Sequence, residues 1–265
     1  MKIQSLFILI NINVTLFVYG QNTQSKVVYE CKTQIVKGKQ HDGKNTLYFD
    51  NEKSLFVHDD WPKRDSSYMI GNMFFSVKGD TSGMPIYINR KDTMLYYKTD
   101  YKSSPLRPCL MLQENTPNIK WQIQSEYTRK IGNLNCIKAF GTFGNRIYDV
   151  WFTPEIPVNF GPYKLGGLPG LILEANSRDG KVSYTFVSYE SNISHPMDMT
   201  KPKKFMTQAQ FKAYVINDLL EVEALSTATV ESTNTDPVSD CEIEKDKITI
   251  HRDYKRARAL KKRND

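Results

Sequence analysis

The chain has 265 residues, with 36 Lys and Arg against 29 Asp and Glu, a formal charge of +7. A hydrophobic share of 40% provides for one domain with a sizeable core, since single β barrels and sandwiches reach roughly 200–250 residues. The basic excess is concentrated in residues 252–265, where seven Lys or Arg face only Asp253 and Asp265, so the body is nearly neutral and a nucleic-acid-binding face is excluded.

Residues 1–20 hold Lys2, an apolar stretch from Ile3 to Tyr19, and the small side chains Val18 and Gly20. The pattern predicts a secretory signal cleaved after Gly20, on a stretch short for spanning a bilayer. From Lys26 to Val36, Val27, Tyr29, Cys31, Thr33 and Ile35 alternate with polar residues, which predicts a half-buried strand. Thr46–Asp50 and Ser54–His58 flank Asn51-Glu52-Lys53 at hairpin spacing. Further strands are expected at Tyr68–Val77, Pro85–Asn89 and Thr93–Lys98. The clearest β signal covers Ile119–Glu126, Leu134–Thr142 and Ile147–Phe152, joined by short turns; Leu171–Glu174 and the alternating run from Val182 to Val187 follow. Neighbours joined by such short turns predict an antiparallel meander.

One helix is expected, capped by Thr207 and running from Gln208 to Leu225, with Phe211, Val215, Leu219 and Val222 on one face. A single amphipathic helix needs an apolar surface to lie on. The expected fold is therefore mainly β: a curled antiparallel sheet, a half-barrel of the lipoprotein-carrier kind, holding that helix, with a β-sandwich as the alternative. The domain is expected over residues 21–225, followed by a flexible Ser/Thr-rich segment at 226–240, a returning strand at 241–251 and a basic tail at 252–265.

Cys31, Cys109, Cys136 and Cys241 admit three disulfide pairings in an oxidising compartment. The expected pairing is Cys109–Cys136 with Cys31–Cys241, and buried free thiols are the alternative. The sequence has no CxxC and its four histidines are scattered, so no metal site is expected.

Between Trp151 and Leu173 the chain carries Pro154, Pro157, Pro162 and Pro169 with Gly161, Gly166, Gly167 and Gly170. Such a run interrupts ladder bonding repeatedly and fixes the path with rigid and permissive residues, which predicts an ordered loop. Leu168, Leu171, Ile172 and Leu173 then place apolar groups on both faces of the next strand. An architectural role over the open end of the sheet is the first reading of this loop, and a ligand or partner surface the second.

The segments Trp121-Gln-Ile, Cys136-Ile-Lys-Ala139, Val150-Trp151-Phe-Thr-Pro-Glu-Ile-Pro157, Gly161-Pro162 and Gly167-Leu168-Pro169-Gly170-Leu171-Ile172 resemble the GLPGLI family of exported proteins. The resemblance implies a secreted or periplasmic protein of Gram-negative bacteria of the Bacteroides and Flavobacterium lineage. It brings no catalytic residues.

Other chemistry is weakly supported. Residues 38–45 have phosphate-loop spacing, but Asn45 stands where Ser or Thr is needed and no helix follows. Residues 79–83 do not center a serine as a hydrolase elbow does. His58 with Asp59 and Asp60 reads as a solvated loop, and Glu155 as a carboxylate anchoring its loop before it reads as an acid or base paired with Glu174. The tail suits peripheral contact with an anionic surface, its alternative being a solvated extension.

The function expected first is that of a monomeric, non-catalytic binding or carrier protein without cofactor, presenting an apolar trough lined by Phe140, Trp151, Tyr184 and Phe186 to an amphiphilic small molecule. The alternatives are an envelope hydrolase using Glu155, Asp149 or His58, and a partner of an outer-membrane transporter that binds through the Gly167-Leu168-Pro169-Gly170 loop, a reading that changes at Leu168 or Leu171 would test.

Overall fold

A computed structural model describes residues 23–34, 40–58, 66–70, 73–77, 85–91, 93–98, 110–197 and 205–225. The expected signal at 1–20, the segments 226–240, 241–251 and 252–265, the loop at 79–83, and Cys109 and Cys241 lie outside the described residues.

The strands are β1 (Gln24–Gln34), β2 (Gln40–Phe49), β3 (Lys53–His58), β4 (Ser66–Ile70), β5 (Met73–Val77), β6 (Ile86–Asn89), β7 (Met94–Lys98), β8 (Met111–Asn115), β9 (Gln122–Ile131), β10 (Leu134–Phe143), β11 (Arg146–Thr153), β12 (Leu171–Ser177), β13 (Val182–Ile193) and β14 (Met206–Thr207), and the helix is α1 (Gln208–Leu225). All but β4 and β5 form one sheet in the order β14-β8-β7-β6-β3-β2-β1-β13-β12-β11-β10-β9. Every neighbouring pair in it is antiparallel except β14 with β8. The expected mainly-β fold with an open, curled antiparallel sheet and one helix is what forms, and the two-layer alternative is not.

Chain connectivity shows why the sheet must curl. Ten interstrand steps separate β8 from β9, which is about 48 Å in a flat sheet. The connection between them is only residues 116–121, whose full extension reaches roughly 25 Å. The two ends of the sheet are therefore drawn together. The inner face carries the core: Val27, Tyr29 and Cys31 of β1, Leu47 and Phe49 of β2, Leu95 and Tyr97 of β7, Tyr148, Val150 and Phe152 of β11, and Tyr184 of β13 are all buried.

The ladder between β12 and β13 is short, joining only Ala175 to Tyr184 and Asn176 to Ser183. Beyond that point the first half of β12 takes other partners. Ile172 N donates to Phe160 O at 3.0 Å, Leu171 N donates to Ile156 O at 3.1 Å, and the buried Tyr29 hydroxyl donates to Ile172 O at 2.7 Å. The segment between β11 and β12 thus sits where the sheet splits, in place of a strand.

The helix begins where the sequence places it. Thr207 and Gln210 cap it reciprocally, Gln210 N donating to Thr207 Oγ1 at 3.2 Å and Thr207 N to Gln210 Oε1 at 2.9 Å. Val215 is buried, and Phe211 packs on the core. The expected helical positions Leu219 and Val222 carry side chains outside the described set.

Two expectations need correction. The run Tyr68–Val77 is two strands, β4 and β5, paired from Ile70 opposite Met73 outward; the sequence Gly71-Asn72 carries a turn signal that the long apolar run obscured. β8 was not expected, because its sequence Met-Leu-Gln-Glu-Asn alternates over too few residues to register. Cys31 and Cys136 are buried free thiols, and the partners expected for them, Cys109 and Cys241, lie outside the described residues. Cys31 Sγ lies 3.3 Å from Thr33 Oγ1, and Cys136 Sγ lies 3.6 Å from Leu134 O. Burial raises both thiols, that of Cys136 to about 11.

Candidate functional site

Two places draw on the motif residues, one inside the curled sheet and one on its outer surface. The inner one is the loop from Pro154 to Gly170. Phe160, Gly161, Pro162, Tyr163, Lys164, Leu165 and Leu168 are buried there, with Leu171, Ile172 and Leu173 following in β12. Its path is fixed by backbone bonds, Leu165 N to Pro162 O and Gly167 N to Asn159 O, both at 3.0 Å. The Trp121 indole donates to Gly166 O at 2.8 Å and ties the loop to the connection that spans the mouth of the sheet.

Two glycines show how close the fit is. A Cβ on Gly170 would lie 2.2 Å from Thr153 O, a separation that no side chain can occupy. Gly167 adopts φ +90, which L residues avoid. Tyr163 is held at φ +57 without being glycine, a strained conformation its surroundings must impose. Next to it Lys164, whose side chain is 1% exposed, pairs with Glu114 of β8 and places its ammonium 4.2 Å from the Tyr97 ring centroid. The loop therefore fills the sheet from the β11–β12 side to the β7–β8 side.

The outer place follows from strand alternation. Because Tyr148, Val150 and Phe152 point inward, Ile147, Asp149 and Trp151 point outward. Register sets Lys138 opposite Trp151, Phe140 opposite Asp149, and Glu174 opposite Trp151 on the other side. Arg129 of β9 pairs with Glu174 and lies 4.3 Å from the Trp151 ring centroid. Arg178 binds Asp149 through two nitrogens, at 2.8 and 3.1 Å, and lies 4.8 Å from the Phe140 ring. Lys138 is 3.8 Å from Asp149 and 5.9 Å from the Tyr127 ring. The Arg178 hydrogen bonds are the main reason the Asp149 carboxyl is held below its ordinary range, against a smaller opposing effect of burial. Three aromatic rings, each with a cation over it and two carboxylates between, thus form one ordered outer surface.

The residues singled out in the sequence divide between these places. Leu168, Pro162, Gly161, Gly170, Leu171 and Ile172 are interior, so Leu168 and Leu171 present no contact surface. Pro154, Glu155, Pro157, Gly167 and Pro169 are exposed along the same loop. Glu155 accepts from Asn135 N at 2.8 Å and Asn135 Nδ2 at 2.7 Å, anchoring the loop to the start of β10. The expected trough does not form from its four residues. Tyr184 is fully buried and Phe186 packs on the core, while Phe140 and Trp151 turn their rings outward under Arg178 and Arg129, Trp151 remaining partly buried against the core.

Glu155, Asp149 and His58 are not brought together. Each carboxylate has the partners given above, and His58 rests edge-on against Phe56 at 5.1 Å, in a strand four places removed from β12. Among the described residues no group of His, Cys, Asp and Glu is arranged to hold a metal ion. Sequence reading missed Arg129, Lys138 and Arg178, although the alternation that turns Trp151 outward carries the signal for two of them.

Residues 145–174 match a family model described as a protein of unknown function (Porph_ging). No curated protein sequence matches the chain. Two solved structures of PNGF-II, in space groups P21 and C2, are similar over 74% of this chain at 17% identity and a TM-score of 0.54. That similarity covers 34% and 33% of the PNGF-II chains, so this chain spans about a third of their length. It shows a shared fold over that part. The LolA superfamily protein NE2245 from Nitrosomonas europaea is similar over 66% of this chain and 88% of its own, at 9% identity and a TM-score of 0.28.

Proposed function

We propose that this is an exported, non-catalytic binding protein of the GLPGLI kind, working in the Gram-negative envelope and engaging another envelope protein through the outer face of β9, β10 and β11. The observation that carries this reading is the aromatic and cationic array on that face. Tyr127 is 53% exposed and Ile147 43% exposed beside the half-buried Phe140 and Trp151. Arg, Trp and Tyr are the residue types that dominate protein interfaces. Here stacking and ion pairing already order them, which lowers the entropy lost on association. The carboxylates in this region serve as structural partners of Arg129, Arg178 and Asn135, which supports binding over catalysis. The motif stretch that matches the family model supplies both Trp151 of this face and the loop that supports it from within.

The test is site-specific photo-crosslinking in the exporting bacterium. A photoreactive residue at Tyr127 should give one discrete protein adduct, lost with Arg178→Ala, while the same residue at the exposed Glu30 of β1 gives none. Equal adducts at both positions, or a lipid adduct at Tyr127, would overturn the assignment of this face to a protein partner. Export itself is checked by the N-terminus of the periplasmic product, expected at Gln21.

A further inference from the structure

We infer that the protein bound by the outer face contributes an acidic segment, whose carboxylate is received by Arg178 and Lys138 with an apolar neighbour against Ile147. The inference rests on the reading of that face given above and adds the chemistry of the partner.

Charge is not spread evenly over the face. Toward Trp151 it balances. Arg129 pairs with Glu174, and Lys130 stands opposite Asn135, whose backbone and side-chain amides hold Glu155. Toward Phe140 it does not balance, because Arg178 and Lys138 bring two positive charges to one carboxylate, that of Asp149. Arg178 takes both oxygens of Asp149 through Nε and Nη2, at 2.8 and 3.1 Å. Lys138 is left 3.8 Å from the same carboxylate, beyond hydrogen-bond distance. Glu126 of β9 does not offset this excess, since it forms no ion pair among the described residues.

Both cations can take a further acceptor. The side chain of Arg178 is 48% exposed and that of Lys138 32% exposed. The bonds to Asp149 leave the two N–H groups of Arg178 Nη1 unused, and an ammonium has three donors of its own. A carboxylate fits this pair, because it accepts charge-assisted bonds from both and cancels the single charge that Asp149 leaves over. The surroundings are apolar. Arg178 N donates to Ile147 O at 2.9 Å, which places Ile147, 43% exposed, next to it. The Phe140 ring lies under Arg178 and the Tyr127 ring near Lys138. The segment that matches this surface therefore carries Asp or Glu beside an aliphatic or aromatic residue.

The test compares the photo-crosslinked adduct at Tyr127 in the exporting bacterium between the parent, Lys138→Gln, Lys138→Glu and Lys138→Arg, with urea midpoints confirming that each variant folds. Lys138→Gln should lower the yield about fivefold or more, Lys138→Glu should abolish it, and Lys138→Arg should recover most of what Lys138→Gln loses. The partner's crosslinked peptide, sequenced by mass spectrometry, should contain Asp or Glu next to an apolar residue. An adduct unchanged in Lys138→Gln and Lys138→Glu, or a crosslinked peptide without a carboxylate, would overturn the acidic segment and leave a protein partner on this face. No protein adduct at Tyr127 in the parent, or an adduct with a lipid or a second copy of the chain, would overturn both.

Discussion

At Asp149 a single carboxylate organises the outer face, receiving two hydrogen bonds from Arg178 and facing Lys138. Its pKa is depressed in the folded protein. A depressed carboxylate contributes stability that is present above the unfolded value and is lost as pH falls through the folded one. Asp149→Asn should therefore cost about 0.2–1 kcal/mol at pH 7, and the cost should be smaller at an acid pH below the ordinary carboxylate value of 3.8. Urea midpoints of parent and variant at both pH values check this, and a penalty independent of pH would show that the pair is not its source. The residue scale also shows what sequence could reveal. Glu155 was readable as a loop anchor because it lies among prolines beside a turn. Arg129 was not readable, because the β9 register that carries it to Trp151 is interrupted by three extra residues, Ser125 to Tyr127, and an odd number of inserted residues reverses which face a side chain occupies.

The loop between β11 and β12 is the element on which the fold depends. It was legible as ordered from its glycines and prolines, and its apolar exit strand was legible as covered on both faces. Its place was not legible, because that depends on a split between β12 and β13 sealed by a tyrosine of β1, Tyr29, 143 residues before Ile172 in the chain. Tyr29→Phe removes the hydroxyl that satisfies Ile172 O inside the core. The orphaned carbonyl should cost about 1–3 kcal/mol, seen as a lower urea midpoint with an unchanged slope. No loss of stability would mean that water reaches Ile172 and that the loop does not seal the split. The helix, in contrast, was readable to its first residue, since capping and amphipathic spacing are local signals. What it packs against is set by the two-residue β14 and by β8, both too short to leave a pattern.

Over the whole molecule, alternating strands and short turns were enough to predict a curled antiparallel sheet with one helix. They did not show what occupies the inside of the curl. The expected trough relied on Phe140 and Trp151 facing inward with Tyr184, and register turns the first two outward while the motif loop takes the interior. A binding role is thereby shifted from the inside of the sheet to its outer face. Native mass spectrometry of the chain purified from a Gram-negative periplasm, with organic extraction of anything retained, tests that shift most directly. The account predicts a mass of polypeptide alone, because the loop already fills the interior. A stoichiometric lipid or other amphiphile carried through purification would contradict it and return the binding site to the inside of the sheet.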